Sequence, residues 1–293
     1  MLRPDLHVEL ADGTRVGYAE VGNPDGPPVV HLHGTPGSRL EVCLPLPRRA
    51  AEDLGVRLIG LDRPGIGLSA YRRFSVSDYP QMVGDFADAL RLGRFAVTGV
   101  SGGGKYACAC AWGLPDRITR AATVSSTCSF DVPGARATAN KQDRLVYALA
   151  RWAPWLLRLM FAKFTHDARR DPAALFSGLP ELGQADQEIL AGEEFRQAFG
   201  RDLAEAFRQG GRGLALDYAL EARPWGVPLG QIRVPVEIWH GDDDRLVSAQ
   251  ASLILADAIP DATTHFVPGA GHFLDASDHV KDILYSVVSG SAR

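Results

Sequence analysis

Apolar residues recur along this chain at two spacings. From residue 7 to 21 they alternate with polar ones around Asp12-Gly13, which predicts two strands joined by a tight turn. A polar loop, Asn23 to Pro28, follows. Short apolar runs bounded by turn residues then recur at Pro28–Leu32, Val56–Leu61, Phe95–Val100, Ala121–Ser125, Val236–His240 and Thr263–Val267. Such runs predict strands buried on both faces of a parallel sheet. Helical spacing lies between them, at Pro80–Leu92 and Gly103–Leu114, and closes the chain at Asp275–Val288. The alternation predicts an α/β fold with a mostly parallel, doubly wound central sheet flanked by helices.

The alternation stops between residues 129 and 230, a stretch longer than ordinary connections. There Leu145, Val146, Leu149, Trp152, Leu156, Leu159, Met160 and Phe164 follow a helical period, which Pro154 interrupts. The expectation is a helical cap, 129–230, inserted into a core made of 1–128 and 231–293. The alternative is a set of helices belonging to the main core.

Composition narrows the function classes. With 293 residues, 46% of them apolar and 23% charged, the chain can bury a large core without cross-links. A net charge of −4 offers no basic excess for phosphates, so nucleic-acid partners are not expected. The pairs Arg48-Arg49 and Arg169-Arg170 read as solvated faces. No basic start leads into an apolar run, and no apolar stretch reaches the roughly 18 residues of a membrane span. The expectation is a cytoplasmic protein without a membrane partner. Cys43, Cys108, Cys110 and Cys128 are expected as free thiols. Cys108 and Cys110, two apart on a helix, point different ways and make no metal clip.

Gly99-Val100-Ser101-Gly102-Gly103 carries the first chemical signal. A β run enters it and a helical run leaves it, the context that a nucleophilic serine on a sharp turn requires. Side chains at Gly99 and Gly103 would collide across that turn. The alternative, a phosphate-cradling loop, fails the Walker spacing because Tyr106 follows Lys105. A serine needs a base, and His272 sits in a glycine-rich loop after a strand, while His7, His31, His265 and His279 fall in strands or the last helix and His166 in the cap. An acid should orient the imidazole, and Asp242, Asp243 and Asp244 follow a buried strand; spacing alone leaves the three open. An oxyanion needs fixed donors, expected from the amides of Gly102 and of Thr35, since Pro36 has no N–H.

With these residues in view, the sequence resembles the α/β-hydrolase superfamily over nearly its whole length. His33-Gly34, Asp62-Arg-Pro-Gly-Ile-Gly-Leu-Ser69, Gly99-x-Ser101-x-Gly103-Gly104, His240-Gly-x-x-Asp244 and Gly271-His272 occur in the family's order. The resemblance implies an α/β-hydrolase fold with an inserted helical cap and a triad of Ser101, Asp244 and His272, and gives Asp62 and Arg63 structural roles. It implies a serine hydrolase that cleaves an ester, lactone or amide through an acyl-enzyme on Ser101. Water completes that reaction, so no cofactor and no metal is expected. The partner is a small molecule, largely apolar if His33, Trp152, Trp155 and Phe161 contact it. Similar iminopeptidases place cap acids near a substrate amino group, a role open to Glu193 and Glu194 here. Ser248 stands where relatives often have proline, and Gly102 is smaller than the residue many relatives carry, which is expected to leave room beside the nucleophile. Competing expectations are another cofactor-free reaction on the same scaffold (carbon–carbon cleavage, cyclisation, isomerisation, perhydrolysis) and a non-catalytic ligand-binding protein. A monomer and a homodimer are equally compatible with the sequence.

Overall fold

The Asp12-Gly13 hairpin forms where the alternation places it. Strand β1 (Leu2–Glu9) pairs antiparallel with β2 (Arg15–Gly22), and Gly13 takes the positive φ of the turn. The structure, a computed structural model, describes residues 1–170 and 182–289. The side chains at 141, 142, 154, 164 and 166–170 also fall outside the description, so Phe164, His166, Arg169 and Arg170 are not placed.

After the hairpin come β3 (Pro28–Leu32), α1 (Pro45–Leu54), β4 (Arg57–Leu61), α2 (Tyr79–Ala89), β5 (Phe95–Val100), α3 (Gly104–Gly113) and β6 (Ile118–Val124). Among the described residues six helices follow: α4 (Ala135–Thr138), α5 (Lys141–Trp152), α6 (Pro154–Arg170), α7 (Gln184–Ala191), α8 (Glu193–Ala206) and α9 (Arg212–Glu221). The chain then returns to β7 (Val236–Gly241), α10 (Ala249–Ala258), β8 (Ala262–Val267) and α11 (Val280–Val288). Pro154 separates α5 from α6 because it cannot donate to the preceding turn, yet its fixed φ suits a helix start. The last helix starts later than expected, at Val280. A separate short turn, Leu274–Ala276, and an extended Ser277 precede it, which also puts His279 at the helix cap instead of inside.

The eight strands form one sheet in the order β1-β2-β4-β3-β5-β6-β7-β8. β2 runs antiparallel to β4, and β3 to β8 are mutually parallel. Every residue of β5 and β7 is buried, as expected of strands covered on both faces, and their polar members Thr98, Glu237 and His240 are buried with them. One face packs through Val30, Val97 and Ile238 on Phe86, Tyr106 and Leu255 of α2, α3 and α10. The other packs through Val29, Val100 and Val124 on Ala51, Ile283 and Val287 of α1 and α11. The parallel strands therefore deliver their C-terminal ends to one edge, where ligand sites of such sheets form. The segment from α4 to α9 departs from β6 at that edge and returns to β7.

Candidate active site

Ser101 follows β5 with φ +50, a left-handed conformation unusual for a residue with a side chain. The turn is tight enough that a Cβ on Gly99 would lie 2.5 Å from the Gly103 carbonyl, and one on Gly103 would overlap the Leu32 carbonyl. The flanking glycines are thus a steric requirement of the turn that presents Ser101.

His272 follows β8, and its Nδ1 lies 2.8 Å from Asp244 Oδ2. The other oxygen of Asp244 accepts from the amides of Leu246, at 2.8 Å, and Val247, at 2.9 Å. His240 Nε2 stands 3.3 Å from Asp244 Oδ2. Burial alone would raise the Asp244 pKa; His272, His240 and these hydrogen bonds outweigh it and hold the carboxyl well below its usual range. For His272, burial lowers the pKa and the Asp244 carboxylate raises it, with a net upward shift. The neighbouring aspartates do other work: Asp242 accepts from Gly269 N at 2.6 Å and Asp243 from Gln184 N at 3.1 Å. Ser248 caps α10 through Gln250 N.

Ser101 and His272 face one cavity of about 320 Å³, walled by Thr35 and Gly102 on the core side and by Leu157, Phe161 and Tyr218 on the helical side. Gly102 sits in the first turn leading into α3, where backbone N–H groups lack partners within the helix, so its amide is available to an oxyanion. The Thr35 amide lies on the loop after β3, beside the same cavity.

Several residues sit elsewhere than the sequence suggested. Trp152 and Trp155 are 77% and 63% exposed and do not line the cavity, because they fall on the outer faces of α5 and α6. His33 is no substrate contact either. It is fully buried, its Nδ1 donating to Gly34 O at 2.8 Å and its Nε2 accepting from Arg63 N at 3.3 Å. Burial and the Arg63 guanidinium push its pKa down, so it stays neutral and serves the loop's geometry. Glu193 and Glu194 open α8 on the surface, facing Arg196 and Arg49. Gly102 does not leave room: a Cβ there would meet Thr35 Oγ1 at 2.5 Å and Thr35 Cβ at 3.0 Å. Phe161 lies in the cavity wall.

Sequence reasoning missed a set of buried acids on α7 to α9. Asp186 Oδ2 accepts from His272 N at 2.8 Å and its Oδ1 from Phe273 N at 2.9 Å. Asp202 accepts from Ser38 N at 3.0 Å and Ser38 Oγ at 2.6 Å. Asp217 and Glu221 bind Arg63 and Lys105. One signal was available: Asp217 and Glu221 stand four apart inside the apolar run Gly213-Leu-Ala-Leu-Asp-Tyr-Ala-Leu-Glu221. Within the cavity wall the acids are Asp143 and Glu221, and burial together with Glu221 pushes the Asp143 pKa up to about 6.

One cluster of ligand-type side chains lies apart from the cavity, below the loop after β3. His31, Glu41 and Asp275 bring donor atoms within 4.8 Å of one another. Glu41 already accepts from His31 Nε2 at 2.7 Å and from Gly34 N. Cys108, Cys110 and Cys128 are buried, and burial pushes the Cys128 thiol up to about 12, so it is inert as a nucleophile. No helix among the described residues is long and apolar enough to cross a membrane.

Comparison with known proteins places the fold in a family. A family model described as the alpha/beta hydrolase fold matches residues 27–274. A proline iminopeptidase of Xylella fastidiosa is 28% identical over 283 residues, covering 89% of this chain and 88% of its own. A putative 2-succinyl-6-hydroxy-2,4-cyclohexadiene-1-carboxylate synthase of Bacillus subtilis is 24% identical over 91% of each chain. Among solved structures, the enol-lactonase of Burkholderia xenovorans superposes with a TM-score of 0.70 at 19% identity, covering 98% of this chain and 100% of its own.

Proposed function

Because the chain belongs to the alpha/beta hydrolase fold family, we propose that it is a serine hydrolase acting on an ester, lactone or amide of a small, largely apolar molecule, with α4 to α9 as a cap over the site. The observation that carries this reading is the shared cavity: Ser101, the Asp244-bound His272, Thr35 and Gly102 all line it. His272 takes the proton of Ser101 as its oxygen attacks the acyl carbon. The carbonyl oxygen gains negative charge and is met by the Thr35 and Gly102 N–H groups, each such donor contributing about 3–4 kcal/mol to the barrier reduction. The His272 proton then passes to the leaving group. Water, deprotonated by His272, attacks the acyl-enzyme, releases the acid and restores Ser101. Asp244 stabilises the imidazolium through both steps. The reaction balances with water alone.

The test is intact-mass spectrometry after incubation with a fluorophosphonate. One adduct on the wild type and none on Ser101→Ala is the expected result, with Ser101→Ala also inactive on short esters. A folded wild type that takes no adduct and turns over no ester would refute the reading.

A second reading, cleavage of an amide next to a substrate amino group, is favoured by one observation. The Asp143 and Glu221 carboxyl groups lie in an otherwise largely apolar wall, and a relative is named as an iminopeptidase. Faster turnover of aminoacyl anilides than of matched N-acylated ones, lost in Asp143→Asn, would select it.

A further inference from the structure

The helix α9 carries two acids whose contacts end at both halves of the anion-binding pocket. Asp217 and Glu221, four residues apart, lie on one helix face and are both buried. Asp217 Oδ2 accepts from Thr35 Oγ1 at 2.5 Å and from Arg63 Nη2 at 2.6 Å and Nε at 3.1 Å. Its Oδ1 accepts from the Tyr106 hydroxyl at 2.5 Å. Arg63 in turn donates to Gly34 O at 2.8 Å and to His33 O. The Gly34 carbonyl and the Thr35 N–H belong to one planar peptide unit, so holding the carbonyl aims the N–H. Glu221 Oε2 accepts from Lys105 Nζ at 2.5 Å, and Lys105 donates to Gly102 O at 2.8 Å. Glu221 Oε1 accepts from Thr127 Oγ1.

We propose that Asp217 and Glu221 are positioning residues for the reaction: through Arg63 and Thr35, α9 aims the Thr35 N–H, and through Lys105, which holds the Gly102 carbonyl in the peptide unit after the donor N–H, it fixes where Gly102 stands, so that it sets the spacing of the two amides. This rests on the serine-hydrolase reading above. Two features distinguish it from simple docking of a helix on the core. First, buried ion pairs contribute little net stability compared with apolar packing, so four buried charged side chains at one place point to geometry. Second, both chains of contacts terminate on the two residues that supply the donors, and the Gly102 backbone lies against the Thr35 side chain with no space for a methyl group between them. Neither acid needs to touch substrate for this role, because the gain arises in the transition state, when the oxyanion forms.

The test compares wild type with Asp217→Asn, Glu221→Gln and Thr35→Val, the last isosteric and leaving every buried charge paired. Hydrolysis of p-nitrophenyl butyrate gives kcat and KM, and a trifluoromethyl ketone, which adds to the serine as a tetrahedral oxyanion, gives adduct affinity. Circular dichroism and thermal melting confirm folding. Loss of a whole oxyanion donor lowers kcat about 10²–10³-fold, so misplacing one should cost about 10–100-fold. The expected result is that loss in kcat, KM within about twofold, a matching loss in ketone affinity, and an unchanged acid limb for His272. Folded variants with wild-type kcat and ketone affinity would overturn the proposal, as would raised KM at constant kcat, which would make the acids substrate contacts. A wild type without Ser101-dependent turnover would overturn both this and the serine-hydrolase reading, so the two failures are distinguishable.

Discussion

Helices α7–α9 and α5–α6 belong to the same segment between β6 and β7 but meet the protein in different ways. The first group sends acids inward: Asp186 to the His272 backbone, Asp202 to Ser38, Asp217 and Glu221 to Arg63 and Lys105. The second presents apolar side chains, some inward, as Leu157 and Phe161, and others to solvent, as Leu145, Trp152, Trp155 and Leu159. Pulling α9 away would strand two buried basic groups, and leaving such a partner uncompensated costs about 3–5 kcal/mol. Pulling α5–α6 away would expose mainly apolar surface, with Asp143 the one acid that α5 sends into the cavity wall, and the penalty would be diffuse. The comparison teaches that one inserted segment holds both a fixed frame for the catalytic loops and a wall that shapes the space for substrate.

The largest expected effect falls on the frame. Gly102→Ala drives a methyl group into Thr35 Oγ1 and should lower kcat about 10²-fold with little change in KM. Steady-state kinetics on a short ester checks this, and a variant as fast as wild type would show that the Thr35 loop can yield. Next comes the pH profile. Burial lowers the His272 pKa and Asp244 raises it, with a net upward shift from its ordinary value, and the protonated ring cannot take the Ser101 proton, so activity should be lost as pH falls. Below that pKa, kcat/KM should drop about tenfold per pH unit. A profile from pH 5 to 9 with its acid midpoint below that of an ordinary imidazole would contradict the assigned Asp244–His272 pair.

The wall should respond differently. Leu157 is fully buried and lines the cavity, so Leu157→Ala should raise KM for short apolar esters about tenfold and keep kcat within about threefold. A collapse of kcat instead would erase the distinction between wall and frame. The smallest effect is expected from Trp152→Ala and Trp155→Ala. Both side chains are exposed, so each change should shift unfolding free energy by less than about 0.5 kcal/mol and leave kcat/KM unaltered. Urea titration and the same ester assay check it.

The division between frame and wall also marks what the sequence could convey. Strand runs such as Phe95–Val100 were legible because burial on both faces demands a mostly apolar composition. The turn at Ser101 was legible because only glycine fits on either side of it. The choice of Asp244 among three aspartates came from the resemblance, and its hydrogen bonds to Leu246 and Val247 give the physical reason it suits His272. The bracing acids were not legible, since a buried Asp217 and a solvated surface aspartate are the same letter until Arg63, 154 positions away, is brought to it. The same blindness to distant neighbours made Gly102 look spacious, when Thr35 fills the room. Trp152 and Trp155 misled in the opposite sense, because helical period shows which residues share a face but not whether that face is covered.

Arg63, Lys105, Asp217 and Glu221 form a closed group of two basic and two acidic side chains, each at most 8% exposed. Arg63, Lys105 and Asp217 do not line the cavity, so only Glu221 of the four meets its contents, and the folded packing sets their field more than the surrounding electrolyte does. Dissolved salt weakens surface pairs such as Arg49–Glu194, whose side chains are 58% and 64% exposed, within a screening length of about 10 Å at 0.1 M. The consequence, if Thr35 and Gly102 act as proposed, is that their setting should respond less to dissolved salt than a surface pair does.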